Sequence, residues 1–81
     1  MNVRVLYFAS ARELASKSAE NLSLSEGASV GDLSTEVQRV HPLLKTLKNS
    51  MKFSVNLTVV DADTVLREGD EVGILPPVAG G

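Results

Sequence analysis

Four groups of residues in this 81-residue chain are of types that do chemistry. They are the terminal pair Gly80-Gly81, the single histidine His41, and two sets of carboxylates, Asp61 with Asp63 and Glu68 with Asp70 and Glu71. The chain has no cysteine, so it holds no thiol nucleophile and no disulfide, and one histidine gives no basis for a structural zinc site. Asp61 and Asp63 alone fall short of the roughly six to eight oxygens that calcium takes, so no metal is expected. His41, followed by Pro42, reads as a capping or surface residue rather than a catalytic base. Glu68, Asp70 and Glu71 read either as an acidic contact for an activating enzyme or as a solvated turn. No combination of these side chains makes a catalytic set, and attention passes to the terminus.

The carboxylate of Gly81 is ionised at neutral pH, with an ordinary pKa of about 3.3–3.7, and is unreactive toward nucleophiles. As an acyl donor or sulfur acceptor it must first be activated, most simply as an acyl-adenylate made from ATP. The chain carries no phosphate-cradling glycine loop, so a second protein is expected to do this. Gly80 and Gly81 have no Cβ and can thread a narrow site, while Pro76 and Pro77 stiffen the base of the arm and lower the entropy lost on insertion. From Pro76 through Val78 and Ala79 to Gly81 the arm reaches roughly 20 Å, at about 3.3–3.6 Å per residue. Terminal glycines alone would also fit a frayed end. The whole run of strand, Pro-Pro, small residues and Gly-Gly points instead to a working arm.

Composition bounds the rest. A chain this short is one domain that buries only about 60–65% of its unfolded surface. A hydrophobic fraction of 43% with 4% aromatic residues describes an aliphatic core. The net charge of −2 and eight scattered Lys and Arg residues leave no footprint for nucleic acid. The apolar run at residues 5–11 is too short for a signal-peptide core, and no stretch approaches the roughly 20 residues of a membrane span. A cytoplasmic protein without membrane or nucleic-acid partners is expected.

The positioning elements follow from periodicity. Residues 3–8 read as a strand with Val3, Val5 and Tyr7 inward and Arg4, Leu6 and Phe8 on a half-covered face. Residues 9–16 favour a helical turn, and 17–21 a connection. Leu22 and Leu24 mark a short strand closed by Glu26-Gly27. Val30, Leu33, Val37, Val40 and Leu44 form a helical stripe, started by a capping box of Ser29 with Asp32 and stopped near His41 by Pro42. Residues 43–51 read as a loop. The alternation of Phe53, Val55, Leu57 and Val59 gives either one long strand or two around a turn at Asn56. Val65-Leu66 is a short apolar element between turns at 61–63 and 67–70. A last strand, 71–75, turns Val72 and Ile74 inward and Gly73 and Leu75 outward, and Pro76 stops it because it has no amide hydrogen. This pattern predicts an α+β fold of the β-grasp, or ubiquitin-like, type. It has a mixed sheet with one main helix on one face, a domain of residues 1–75, and a projecting C-terminal tail of residues 76–81.

Val5-Leu6-Tyr7-Phe8-Ala9, Arg12-Glu13-Leu14, Val55-Asn56 and Gly69-Asp70-Glu71-Val72, running on through Pro76-Pro77-Val78-Ala79-Gly80-Gly81, resemble the sulfur-carrying small subunit of molybdopterin synthase over the whole chain. The resemblance implies a cycle. A ubiquitin-activating-like adenylyltransferase adenylates Gly81 with ATP, and a sulfur donor such as a cysteine desulfurase or rhodanese converts the adenylate to a thiocarboxylate. The arm then enters the large synthase subunit, in a heterotetramer of two small and two large subunits, and sulfur passes to a cyclic pyranopterin phosphate to form molybdopterin. The carrier would be a non-catalytic subunit without a stably bound cofactor, the acid–base groups belonging to the large subunit. By the same analogy Phe8, Val59 and Leu75 form the apolar partner interface, with Val59 not clearly outward by alternation, and Arg12 either helps that interface or does nothing. The alternatives are a sulfur carrier for thiamine thiazole or tRNA thiolation, and a ubiquitin-like protein modifier.

Overall fold

The computed structural model describes residues 1–77, and the expected tail positions Val78, Ala79, Gly80 and Gly81 lie outside the described residues. Five strands, β1 (Asn2–Tyr7), β2 (Ala19–Ser23), β3 (Lys52–Val55), β4 (Thr58–Val60) and β5 (Glu71–Leu75), form one sheet in the order β2-β1-β5-β3-β4. β1 and β5 run parallel, and the other neighbours are antiparallel. Two helices, α1 (Ala9–Ala15) and α2 (Val30–Val40), and a 3-10 helix (Pro42–Leu47) complete the fold.

One face of the sheet makes the core. Val3, Val5 and Tyr7 of β1, Phe53 of β3, and Val72 and Ile74 of β5 join Val30, Leu33 and Val37 of α2 in one buried cluster. The period-two strands and the 3–4 spacing of the helix therefore meet as the alternation requires. The capping box is present: Asp32 N–H donates to Ser29 Oγ at 3.1 Å, and Ser29 N–H donates to Asp32 Oδ2 at 2.9 Å. Val40 departs from the expected stripe and is exposed. Leu44 reaches the core from the 3-10 helix, not from α2, because Pro42 ends the regular helix and the chain continues in a tighter turn through residues read as a loop.

The second strand begins earlier than its leucines imply. Ala19, Glu20 and Asn21, read as a connection, already pair with β1, Glu20 lying opposite Val5 on the inward face. That position is polar because Glu20 Oε2 accepts from the Tyr7 hydroxyl at 2.5 Å and meets His41 Nε2 at 2.5 Å. Tyr7 and His41 also pack edge to face, with ring centroids 5.6 Å apart. His41 thus has two roles. Its backbone caps α2 by donating to Val37 O at 2.8 Å, and its side chain, 13% exposed, ties the helix end to the sheet instead of lying at the surface.

Asn56 does divide the β3–β4 segment. Asn56 and Leu57, with φ of +49° and +76°, make a two-residue hairpin turn of the kind whose twist matches the strands. Asn56 is fixed there. Its N–H donates to Glu71 O at 2.8 Å, its Oδ1 accepts from Glu71 N–H at 3.0 Å, and its Nδ2 donates to Asp70 Oδ1 at 3.0 Å. Leu57 occupies a left-handed position that favours glycine and is 90% exposed, so it has backbone strain without burial to offset it.

Two outcomes test these local arrangements. Leu57→Gly should raise Tm by about 2 °C or more, since relief of about 1–2 kcal/mol of strain outweighs the roughly 0.4–1 kcal/mol of added freedom in the unfolded chain. A fall in Tm measured by calorimetry would contradict the strain. For Glu20, burial alone would raise its carboxyl, but hydrogen bonds from Tyr7 and His41, with the charges of His41 and Lys17, outweigh burial and hold it below the usual range. Its stabilisation is therefore present above about pH 4.3 and is lost as pH falls through the lowered folded value. Glu20→Gln should cost about 1–3 kcal/mol at pH 7, with the gap to wild type closing in acid. Denaturant unfolding across pH would show parallel acid limbs if the network contributes nothing.

Candidate functional site

The last strand before the expected tail, β5, is the middle strand of the sheet. Its register pairs Val72 and Ile74 with Val5 and Tyr7 on one side and with Val55 and Phe53 on the other. Val72 and Ile74 are fully buried, so the strand cannot shift without dragging both neighbours. The turn ahead of it is equally fixed. Gly69 has φ +82°, a conformation that suits glycine, and its N–H donates to Asn2 O at 2.8 Å. Asp70 Oδ2 accepts from Arg67 N–H at 2.9 Å, and Glu68 Oε1 accepts from Asn2 N–H at 2.8 Å. Asp70 and Glu68 therefore organise the turn, which gives the acidic set a structural use.

β5 ends at Leu75, and beyond it come half-buried Pro76 and exposed Pro77. The strand thus ends at a defined point on the sheet, and the last described residue, Pro77, is exposed.

The sheet face opposite the core carries the residues expected at an interface. Phe8 is the N-cap of α1, Leu75 closes β5, and Val59 lies in edge strand β4. Phe8 is 44% and Val59 66% exposed, while Leu75 is half-buried. Val59 is outward because the Asn56-Leu57 turn resets the alternation. Phe53 now faces Val60, and Val59 stands opposite Ser54. Read as one continuous strand, the same residues would have put Val59 inward with Phe53. In register, Leu6, Gly73, Ser54 and Val59 form one row across four strands on this face.

Arg12 lies on α1 and is exposed. Asp61 and Asp63 sit in a tight turn in which Asp63 N–H donates to Asp61 Oδ1 at 3.1 Å. Among the described residues no three His, Cys, Asp or Glu side chains come together as a metal site.

Sequence reading missed the Tyr7–Glu20–His41 network and the small-residue floor at Gly73 and Ser54. The first had a signal, since an inward tyrosine needs a partner for its hydroxyl and Glu20 is in phase with Leu22. The second could be found only with the sheet order in hand, because Gly73 and Ser54 are 19 residues apart in sequence yet paired in register.

Comparison with known proteins places the chain in a family. The ThiS family model matches residues 5–81. The chain is 36% identical over 83 residues to the molybdopterin synthase sulfur carrier subunit of Chlamydomonas reinhardtii, covering all of both. A solved structure from Pyrococcus furiosus, assigned as molybdopterin converting factor subunit 1, superposes with a TM-score of 0.87 at 36% identity, covering 96% of this chain and 99% of that one. The small archaeal modifier protein 1 of Methanosarcina acetivorans superposes with a TM-score of 0.83 at 31% identity, covering 99% and 96%. The sheet order, the helix across one face and these likenesses define the ubiquitin-like β-grasp fold, and the chain belongs to the ThiS family.

Proposed function

We propose that this chain is the sulfur carrier subunit of a molybdopterin synthase. The observation that carries the reading is its full-length likeness, at 36% identity, to a relative of that name. Chemistry supports it. A chain without cysteine can carry sulfur covalently only on a group such as a terminal carboxylate, and the fold ends in a fixed central strand leading toward Gly81.

In this reading Gly81 is adenylated by an ATP-using, ubiquitin-activating-like enzyme. A donor such as a cysteine desulfurase or rhodanese then displaces the nucleotide to leave a thiocarboxylate. The arm from Pro76 to Gly81 enters the large subunit, where sulfur passes to a cyclic pyranopterin phosphate. Phe8, Val59 and Leu75 dock the large subunit outside its active site, in an assembly of two small and two large subunits. The chain supplies the reacting group and the docking face, and it binds no cofactor of its own. No helix among the described residues is long and apolar enough to cross a membrane, and we place the cycle in the cytoplasm.

A second reading, a protein modifier joined through Gly81 to lysines, is favoured by the 31% identity to a small archaeal modifier protein. Both readings use an adenylated terminus and differ in the acceptor.

Reconstitution with the activating enzyme, a sulfur donor and the large subunit tests the proposal. Deleting Gly81, or adding one residue after it, should abolish molybdopterin formation while leaving Tm within about 1 °C, because neither change alters a residue of the described core. Product formation by either variant would show that the free terminus is not the working group, and lysine-linked conjugates in place of product would favour the modifier. Leu75→Glu should weaken large-subunit binding at least tenfold, since a carboxylate must be desolvated at an apolar contact, roughly 1.4 kcal/mol or more. Wild-type affinity in a titration would remove Leu75 from the interface.

A further inference from the structure

Gly73 lies in the middle of the central strand, where its neighbours are Val72 and Ile74 and nothing in its backbone calls for glycine, since its φ is outside the left-handed range. A strand-interior glycine weakens a sheet, through chain entropy and lost side-chain packing, and marks a place where another group comes close. Here that group is Phe8. A Cβ built on Gly73 would stand 3.1 Å from Phe8 Cε2, 3.8 Å from its Cδ2, and 2.5 Å from Ser54 Oγ. The serine hydroxyl is one rotatable bond from its backbone and can swing aside. The ring, at 3.1 Å, must give by a few tenths of an ångström, which moves it off the sheet.

The backbone of Phe8 has little freedom to compensate. Its N–H donates to Ile74 O at 3.3 Å, one step beyond the β1–β5 ladder. Its carbonyl accepts from Ala11 N–H at 3.0 Å and Arg12 N–H at 3.4 Å, which starts α1. With the main chain held on both sides, the ring direction is set by what lies beneath it. Gly73 is buried in turn, although its side of the sheet faces solvent, and Phe8 remains 44% exposed above it.

We propose that Gly73, with Ser54 beside it, is the seat that holds the Phe8 ring flat on the sheet as a preformed docking knob, making Gly73 a positioning residue for partner binding. This rests on the reading that the outer sheet face docks the large subunit. A ring already fixed in the free protein loses less freedom when it is buried, so removing the seat lowers affinity without removing any contacting atom.

In the free protein, NMR should show the Gly73 α-protons shifted upfield by the ring, and the shift lost in Phe8→Leu. Gly73→Ala should weaken binding to the large subunit about three- to tenfold. Ser54→Ala combined with Gly73→Ala should keep that loss, because the close approach to Phe8 remains. In a Phe8→Ala background Gly73→Ala should cost nothing further, a non-additivity that a general loosening of the sheet would not produce. Unshifted Gly73 protons, wild-type binding by Gly73→Ala, or the same loss in the Phe8→Ala background would each overturn the seat. Loss of binding in Leu75→Glu with wild-type binding in Gly73→Ala would overturn the seat alone. Wild-type binding in both would overturn the docking face itself.

Discussion

Everything in this molecule depends on the burial of β5 between β1 and β3. The strand is hydrogen-bonded along both edges and presses Val72 and Ile74 into the core, so its position is specified by the same apolar contacts that hold the domain together. A one-residue slip would turn those two side chains out and bring Gly73 and Leu75 in, which the core cannot accept. The end of β5 at Leu75 is thereby as stable as the fold itself. Proline at 76 then ends the ladder, because a residue without an amide hydrogen cannot extend it. A fixed base and a chain unable to continue as strand are what a delivered terminus needs.

The two faces of the sheet divide the work. The inward face is closed by α2 and held at its rim by Tyr7, Glu20 and His41, three polar groups on β1, β2 and the helix end that satisfy one another. Among the described residues α1, α2 and the 3-10 helix all send their buried side chains to the core cluster, not to the outward face. Its middle is low, with Gly73 and Ser54 side by side, and Phe8 and Val59 stand exposed on either side. In the proposed reading the open face docks the partner, and the strand that leads to the terminus is held by the closed one.

Much of this was legible in the chain. The stripe from Val30 to Val37, the Ser29–Asp32 box and the stop at Pro42 are local signals, and the helix follows them. The inward sets of β1 and β5 were equally plain, because strict alternation survives wherever one face is buried. What failed was non-local. Glu20 hides the start of β2 because an inward glutamate is intelligible only once Tyr7 and His41 are known to surround it. Val59 changes face because of two left-handed residues, and Leu57 is not a residue whose type announces such a backbone. The apolar face was nameable only through family resemblance. The seat beneath Phe8 needed the register of three strands.

The most direct test of the central claim is the intact mass of the protein isolated from its own cells, with fragmentation to locate any change. The account predicts a population heavier by the exchange of one oxygen for one sulfur, with the change on Gly81. A protein whose terminal carboxylate is unmodified, from cells that are actively making molybdopterin and in which recharging exceeds use, would contradict it.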